Sequence, residues 1–497
     1  MPPDATTQPD LVIRGALLID GSGNPGVRGD LAVTDDRIVA MGDLSRMKSS
    51  REIKANGLAL APGFVDTHTH DDRALLSDPL MECKISQGVT TVITGNCGIS
   101  LAPLSIGRYP PPPLDIIARE PTQFFATFDG YLSALDRDPP ALNAACQVGH
   151  TTLRAGAMDR FDRAATQSEI DAMRGALETS LENGAIGMST GLYYPPAKDA
   201  PTEEVIALAK PMRAYGGIHT THMRDEASHL VQSVNETIEI GKASGIPVVI
   251  SHHKVSGTPN HGLVRDTLKL IDETRKTQKL GLDVYPYVAA STMLDPRRIP
   301  LASKIIVTWS KSHPEFAGQT LDAIAASLKC GLTEAANRLL PAGAIYFMMS
   351  EDDVRRVLSY PHTMIGSDGL PHDQHPHPRL WGTFPRVLGH YVRDVKLFPL
   401  EEAVRRMTAL PAAQFGLKDR GRLHPGACAD LVLFDPATIA DTATFDKPKT
   451  PAAGIALVMV NGCAVWNDGR ATGERPGRAL RRNTLGPMGG SDGPTLA

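Results

Sequence analysis

The stretch Gly63-Phe64-Val65-Asp66-Thr67-His68-Thr69-His70-Asp71-Asp72 (GFVDTHTHDD) decides the fold. It carries an apolar run, Phe64 and Val65, straight into His68-x-His70. Alternate residues of a strand share a face, so both imidazoles point the same way and can share one metal ion. Histidines that merely cap an exposed strand need no partners, so the reading turns on what the other strand ends supply.

Seven more such ends follow. β-type runs end at ITGNC (93–97), QVGHT (147–151), GMSTG (187–191), HTTHM (219–223), VISHHK (249–254), DVYPY (283–287) and MIGSD (364–368). The segments between them have helical spacing, which suits βα units. One helix is signalled throughout: Thr166-x-x-Glu169 is a capping box, Ile170, Met173, Leu177 and Leu181 form an apolar face, and Asn183-Gly184 stops it. Eight units predict an α/β fold, a (β/α)8 TIM-like barrel over residues 62–414. Residues 288–348, between strands seven and eight, exceed one helix and carry two helical patterns. They read as an insertion after strand 7, over the barrel mouth, where such segments often act as lids.

The two chain ends have another texture. Short β-type runs (LVIRGALLID, DLAVTDDRIVAMG, LALAPG) alternate with turn signals, and GRLHPGACADLVLFDP and GIALVMVNGCAVWNDGR repeat that pattern near the C-terminus, with Asn461-Gly462 as a hairpin turn. Residues 1–61 and 415–484 are therefore expected to build one small β-sandwich domain together. The Gly- and Pro-rich residues 485–497 are expected to be a disordered tail.

Composition narrows the function. With 42% hydrophobic and 21% charged residues the chain is that of an ordinary globular protein, and no window approaches the roughly 18 apolar residues of a membrane span. A net charge of -4 with interspersed signs leaves no basic stripe, so nucleic acid is not an expected partner. Six scattered cysteines without a CxxC fit a reducing compartment, and the N-terminus shows no basic n-region or apolar h-region. A cytoplasmic location is expected.

Set side by side, the strand ends carry metal-ligand chemistry. Strand one supplies His68 and His70, strand two Cys97, strand five His222, strand six His252 and His253, and strand eight Asp368. Thiolate, imidazole and carboxylate are the usual zinc ligands, and a catalytic site uses three of them with a fourth position open. A lone cysteine is ordinarily a small buried hydrophobe, but Cys97 lies between Asn96 and Gly98 at a strand end, which makes it a ligand candidate. Strand parity turns His219 away from His222 and separates His252 from His253, which stays a substrate-side candidate. His150 reads as a core or supporting residue, and His372, His375 and His377 as either a solvated rim or substrate contacts. Asp368, beside a metal-activated water, would be a natural general base; the competing role is the N-cap of the next helix.

These residues resemble the amidohydrolase superfamily and, within it, the N-acyl-D-amino-acid deacylase (D-aminoacylase) family, through GFVDTHTHDD, GVTTVITGNCG, IGMSTGLYYPP, THMRDE, VISHHK, YPY with STML, IGSDG and HPHPRLWGTFPRVLGHYVR. Many two-metal members of the superfamily carry a carboxylated lysine at the end of strand four, where this chain has GMSTG and no lysine. The resemblance implies that Cys97 takes its place: one tight catalytic zinc on Cys97, His222 and His252, and a weak or empty second site on His68, His70 and Asp368. It implies hydrolysis of small-molecule N-acyl-D-amino acids to a carboxylate and a free D-amino acid. The substrate carboxylate would meet Lys254, Tyr285, Ser291 and Arg297; Arg298 and Arg379 are further candidates, arginine being suited to bidentate carboxylate pairing. Met348 and Met349 could line an apolar side-chain pocket, and an arginine turned that way would favour D-Glu or D-Asp instead. The alternatives are a cyclic-amide hydrolase of the dihydropyrimidinase or dihydroorotase kind, and a non-catalytic barrel scaffold.

Overall fold

The computed structural model describes residues 8–482 and Gly486, so the expected tail at 485–497 lies almost wholly outside the described residues. The central feature is a TIM-like barrel of parallel strands, numbered here β1 Phe64–Asp66, β2 Val89–Thr94, β3 Asn143–Cys146 with its continuation Val148–Gly149, β4 Gly187–Gly191, β5 Ile218–His222, β6 Val248–Ile250, β7 Leu280–Val284 and β8 Thr363–Ile365. Hydrogen bonding divides them into two runs, β1-β2-β3 and, from the continuation of β3, on through β4 to β8. At the other seam Thr67 Oγ1 donates to the Ile365 carbonyl at 3.1 Å, and Thr69 pairs with Gly369 in parallel.

The interior is packed. Val65, Ile93, Ala145, Ile218, Val249 and Met364, from six of the strands, and Ile186, just before β4, meet Leu410 and Phe415 of the helix Ala409–Phe415 in one apolar cluster. β7 offers Gly281 there, because a Cβ at that position would lie 2.9 Å from the Gln414 side chain. A filled lower interior leaves chemistry to the strands' C-terminal ends. Outside, the helix Gln167–Glu182 has the expected capping box, with Met173, Leu177 and Leu181 buried. Such a cap contributes about 1 kcal/mol, while burying three large apolar side chains contributes several, so packing dominates.

Both chain ends enter one nine-stranded sheet, joined where Ala59–Pro62 pairs antiparallel with Leu431–Phe434. The sheet branches at Leu11–Leu18, which pairs with Arg51–Lys54 through Leu11–Arg14 and with Ala59–Pro62 through Leu17 and Leu18. Asn461 and Gly462, with φ of 48° and 80°, form the tight turn of the Ile455–Val460 and Cys463–Asn467 hairpin. Between β7 and β8 a three-stranded antiparallel sheet (Ala289–Met293, Lys304–Ser310, Ala342–Phe347) carries the helices Leu321–Leu328 and Leu332–Leu339 over its own apolar cluster. Among the described residues, no helix is long and apolar enough to cross a membrane.

Candidate metal centre

Every expected ligand lies at or just past the C-terminal end of a strand, and all are buried. Cys97 Sγ stands 3.2 Å from His68 Nε2, 3.4 Å from His252 Nε2 and 3.6 Å from His222 Nδ1. Zinc bonds of about 2.3 Å to sulfur and about 2.05 Å to nitrogen place tetrahedral S and N ligands about 3.5 Å apart, so the donor set fits such an ion. A second group is formed by Asp368 Oδ1, 3.2 Å from His70 Nε2 and 3.6 Å from His68 Nε2. Donor atoms converge within 4.8 Å in three combinations: His68, Cys97, His252; His68, His70, Asp368; and His222, Glu226, His252.

Three of these residues hold left-handed backbone: Cys97 at φ 53°, His252 at 36° and Asp368 at 51°. Such conformations cost non-glycine residues of order 1 kcal/mol or more and persist where surrounding contacts impose them. His252 is therefore not on an extended strand, since β6 ends at Ile250. Strand parity was the wrong reason for separating it from His253, although the two do diverge: His253 Nε2 faces Thr267 Oγ1 at 2.9 Å on the outer helix Val264–Arg275, away from the ligands. His253 also lines the tight pocket shared by His252, Lys254 and Tyr285. The His68 turn approaches β8 so closely that a Cβ on Gly366 would come within 2.6 Å of His68 Cβ.

Electrostatics favour anionic ligands. Burial pushes the Cys97 thiol up, but the His68 and His252 rings and hydrogen bonds from His222 and His252 outweigh it and hold the group well below the usual thiol range. Asp368 is likewise opposed by burial and held well below the carboxylate range by Arg379, 2.9 Å away, and by His68 and His70.

Sequence reasoning missed two acids that orient the rings. Glu226 Oε1 lies 3.0 Å from His252 Nδ1, leaving Nε2 to face Cys97; a carboxylate behind a ligating imidazole sets its tautomer and orientation. Asp283 Oδ1 accepts the His252 backbone N–H at 2.7 Å and stands 3.6 Å from His68 Nδ1. Glu226 lies in a turn without periodicity; only its position four residues after His222 hinted at it.

The expected carboxylate-binding residues separate. Lys254 is committed inside the site: its Nζ donates to Glu226 at 2.7 Å and to the His252 carbonyl at 3.1 Å, and lies 2.9 Å from His252 Nδ1. Arg297 has 72% of its side chain exposed and pairs with Asp295, whereas Arg298 is buried, stacked 4.2 Å over the Tyr193 ring. Arg379 is fully buried with Nε and Nη1 lacking hydrogen-bond partners, and its guanidinium covers the Tyr285 ring at 4.4 Å. The Tyr285 hydroxyl and Ser291 Oγ are also buried and unpartnered. Met349 lines a tight pocket with His252, Lys254 and Tyr285, and Met348 a neighbouring cavity of about 240 Å³ with Tyr193, Glu226, Arg298 and Leu301. His375 and His377 face the carbonyls of Phe445 and Ala289; His377 is buried, while His372 and His375 are half-buried. His150 pairs with Glu204 and His219 with Thr190, away from the ligands.

Comparison with known proteins gives the same picture. The amidohydrolase family model matches residues 51–299 and 319–465. A D-aminoacylase of Alcaligenes xylosoxydans xylosoxydans is 56% identical over 95% of this chain and 98% of its own length, and an N-acyl-D-aspartate deacylase of the same organism is 52% identical over 96% of each. The solved N-acyl-D-glutamate deacylase of Bordetella bronchiseptica, complexed with zinc and a phosphonate mimic of the tetrahedral intermediate, superposes with TM-score 0.93 at 46% identity, covering 96% of this chain and 100% of that one.

Proposed function

On the premise that this chain belongs to the amidohydrolase family, among the N-acyl-D-amino-acid deacylases, and is a hydrolase of linear amide bonds, we propose that it is a zinc-dependent enzyme releasing free D-amino acids from their N-acyl derivatives. The observation that carries this reading is the pair of facing features at one barrel rim: a Cys97–His222–His252 donor set and, beside Asp368, three buried groups with unpaired donors. A zinc ion on Cys97, His222 and His252 would supply Lewis acidity toward the amide carbonyl and toward water.

The chain's own groups do the rest. Asp368, ionised by its surroundings, takes a proton from the attacking water as the new C–O bond forms, and returns it to the nitrogen as the C–N bond breaks. Arg379 Nε and Nη1, the Tyr285 hydroxyl and Ser291 Oγ receive the substrate's α-carboxylate, which satisfies donors that are otherwise buried without partners. The side chain then points toward the cavity bounded by Arg298, Leu301 and Met348. The second group, His68, His70 and Asp368, would take a further ion weakly, because Asp368 is already paired with Arg379.

Two measurements test this. In a panel of N-acetyl amino acids, D forms are expected to turn over at least about 10²-fold faster than L forms, a discrimination within reach of one well-built pocket; equal or reversed rates reject the reading. The same panel, with Met, Leu, Asp and Glu derivatives, reads side-chain preference. Tyr285→Phe removes one hydroxyl and is expected to raise KM about tenfold with kcat nearly unchanged, the scale of a hydrogen bond to a charged group. An unchanged KM would take Tyr285 out of the carboxylate site.

A further inference from the structure

Lys84 is a buried cation that the reaction described above leaves without a role. It lies on the four-residue helix Glu82–Ile85, between β1 and β2, with no solvent exposure. Its ammonium donates to Asp66 Oδ2 at 2.8 Å and to Ser367 Oγ at 2.7 Å, and forms an ion pair with Asp71 Oδ2 at 3.2 Å. Asp66 ends β1 two residues before His68, Asp71 follows His70, and Ser367 precedes Asp368. The other Asp66 oxygen accepts the Ser367 backbone N–H at 2.7 Å and the His68 N–H at 3.4 Å, and the Asp368 N–H donates to the His68 carbonyl at 2.7 Å. A closed polar ring thus joins the end of β1 to the end of β8. Cys97, His222 and His252 are held by other groups, His252 in particular by Glu226, Lys254 and Asp283.

We propose that Lys84 is a positioning residue that sets the distance between the His68-x-His70 turn and Asp368, independently of the Cys97–His222–His252 donor set. The catalytic part of this rests on Asp368 carrying the proton. The physical ground is that two carboxylates cannot stay buried beside one another without a counter-charge, so removing the ammonium forces Asp66 and Asp71 apart. Asp66 is hydrogen-bonded to both catalytic strand ends, and a displacement of about 1 Å at a reacting group lowers rate about 10²-fold.

The test compares wild type, Lys84→Met and Ser367→Ala, the last removing a single hydroxyl so that a folded variant is available if Lys84→Met is not. Zinc is titrated against a chelator, kinetics are measured on an N-acetyl-D-amino acid, and the Ser367→Ala structure is solved. Expected are a first zinc bound within threefold of wild type, kcat about 10–100-fold lower with KM within twofold, the scale for supporting residues around a metal site, and a His70–Asp368 separation opened from 3.2 Å to beyond about 3.5 Å. An unchanged His70–Asp368 separation, or zinc affinity lost together with rate, overturns the proposal. If wild type hydrolyses no N-acyl-D-amino acid, the functional reading fails by itself, and the measured separation and zinc affinity still decide the role of Lys84.

Discussion

Asp368→Ala is expected to keep one zinc per chain and to lose at least about two orders of magnitude in kcat, measured on the best substrate of the D panel with zinc determined by elemental analysis. The two halves of the result separate because Asp368 is outside the Cys97–His222–His252 set, and its nearest partners are His70, at 3.2 Å, and Arg379, at 2.9 Å. Removing the carboxylate leaves a fully buried guanidinium without its counter-charge, a change that costs several kcal/mol when a buried pair is broken. A stability measurement therefore belongs beside the kinetics, and Asp368→Asn, which keeps the shape, separates loss of charge from loss of packing. Zinc lost with Asp368 would place it among the tight ligands; near-normal kcat would assign the proton transfer to another group.

Cys97→Ala has the opposite signature. It is expected to lose both zinc and activity, because the thiolate is the one anionic donor touching His68, His222 and His252 together. Two imidazoles cannot hold the ion as three ligands do, and the hydrolytic rate should fall to background in assays without added metal. Excess zinc is expected to restore a fraction of activity at most, through the remaining rings and Glu226. Full retention of zinc and rate would make Cys97 a packing residue, a role its burial alone would equally suit.

Much of this was legible in the chain. The barrel strands were visible as apolar runs, and their ends carried the candidate donors, because in a parallel barrel every strand finishes at the same rim. His68, His70, Cys97, His222, His252 and Asp368 all lie where that rule places them. The rule failed where the backbone stops being a strand. Parity assumed extended geometry at His252, yet φ there is 36°. Lys254 was expected to meet the substrate carboxylate; sequence shows its charge but hides its neighbour Glu226, 28 residues away, to which it donates. The choice between Arg297 and Arg298 was invisible for a similar reason: both lie in one short turn, and only the packing of Tyr193 and Tyr346 buries the second.

The sequence by itself determined where the barrel strands end and which residue types stand at those ends, since local periodicity locates both, while the class of bond came from the resemblance to a family. Tertiary structure alone decided the supporting shell. Asp66 and Ser367 are 301 positions apart, and their hydrogen bond exists only once β1 and β8 meet. Which buried donors stay unpaired at Arg379, Tyr285 and Ser291, and which cations are already neutralised, is set by contacts between distant segments. Local propensity carries no record of such contacts, because a buried charge is defined by what surrounds it.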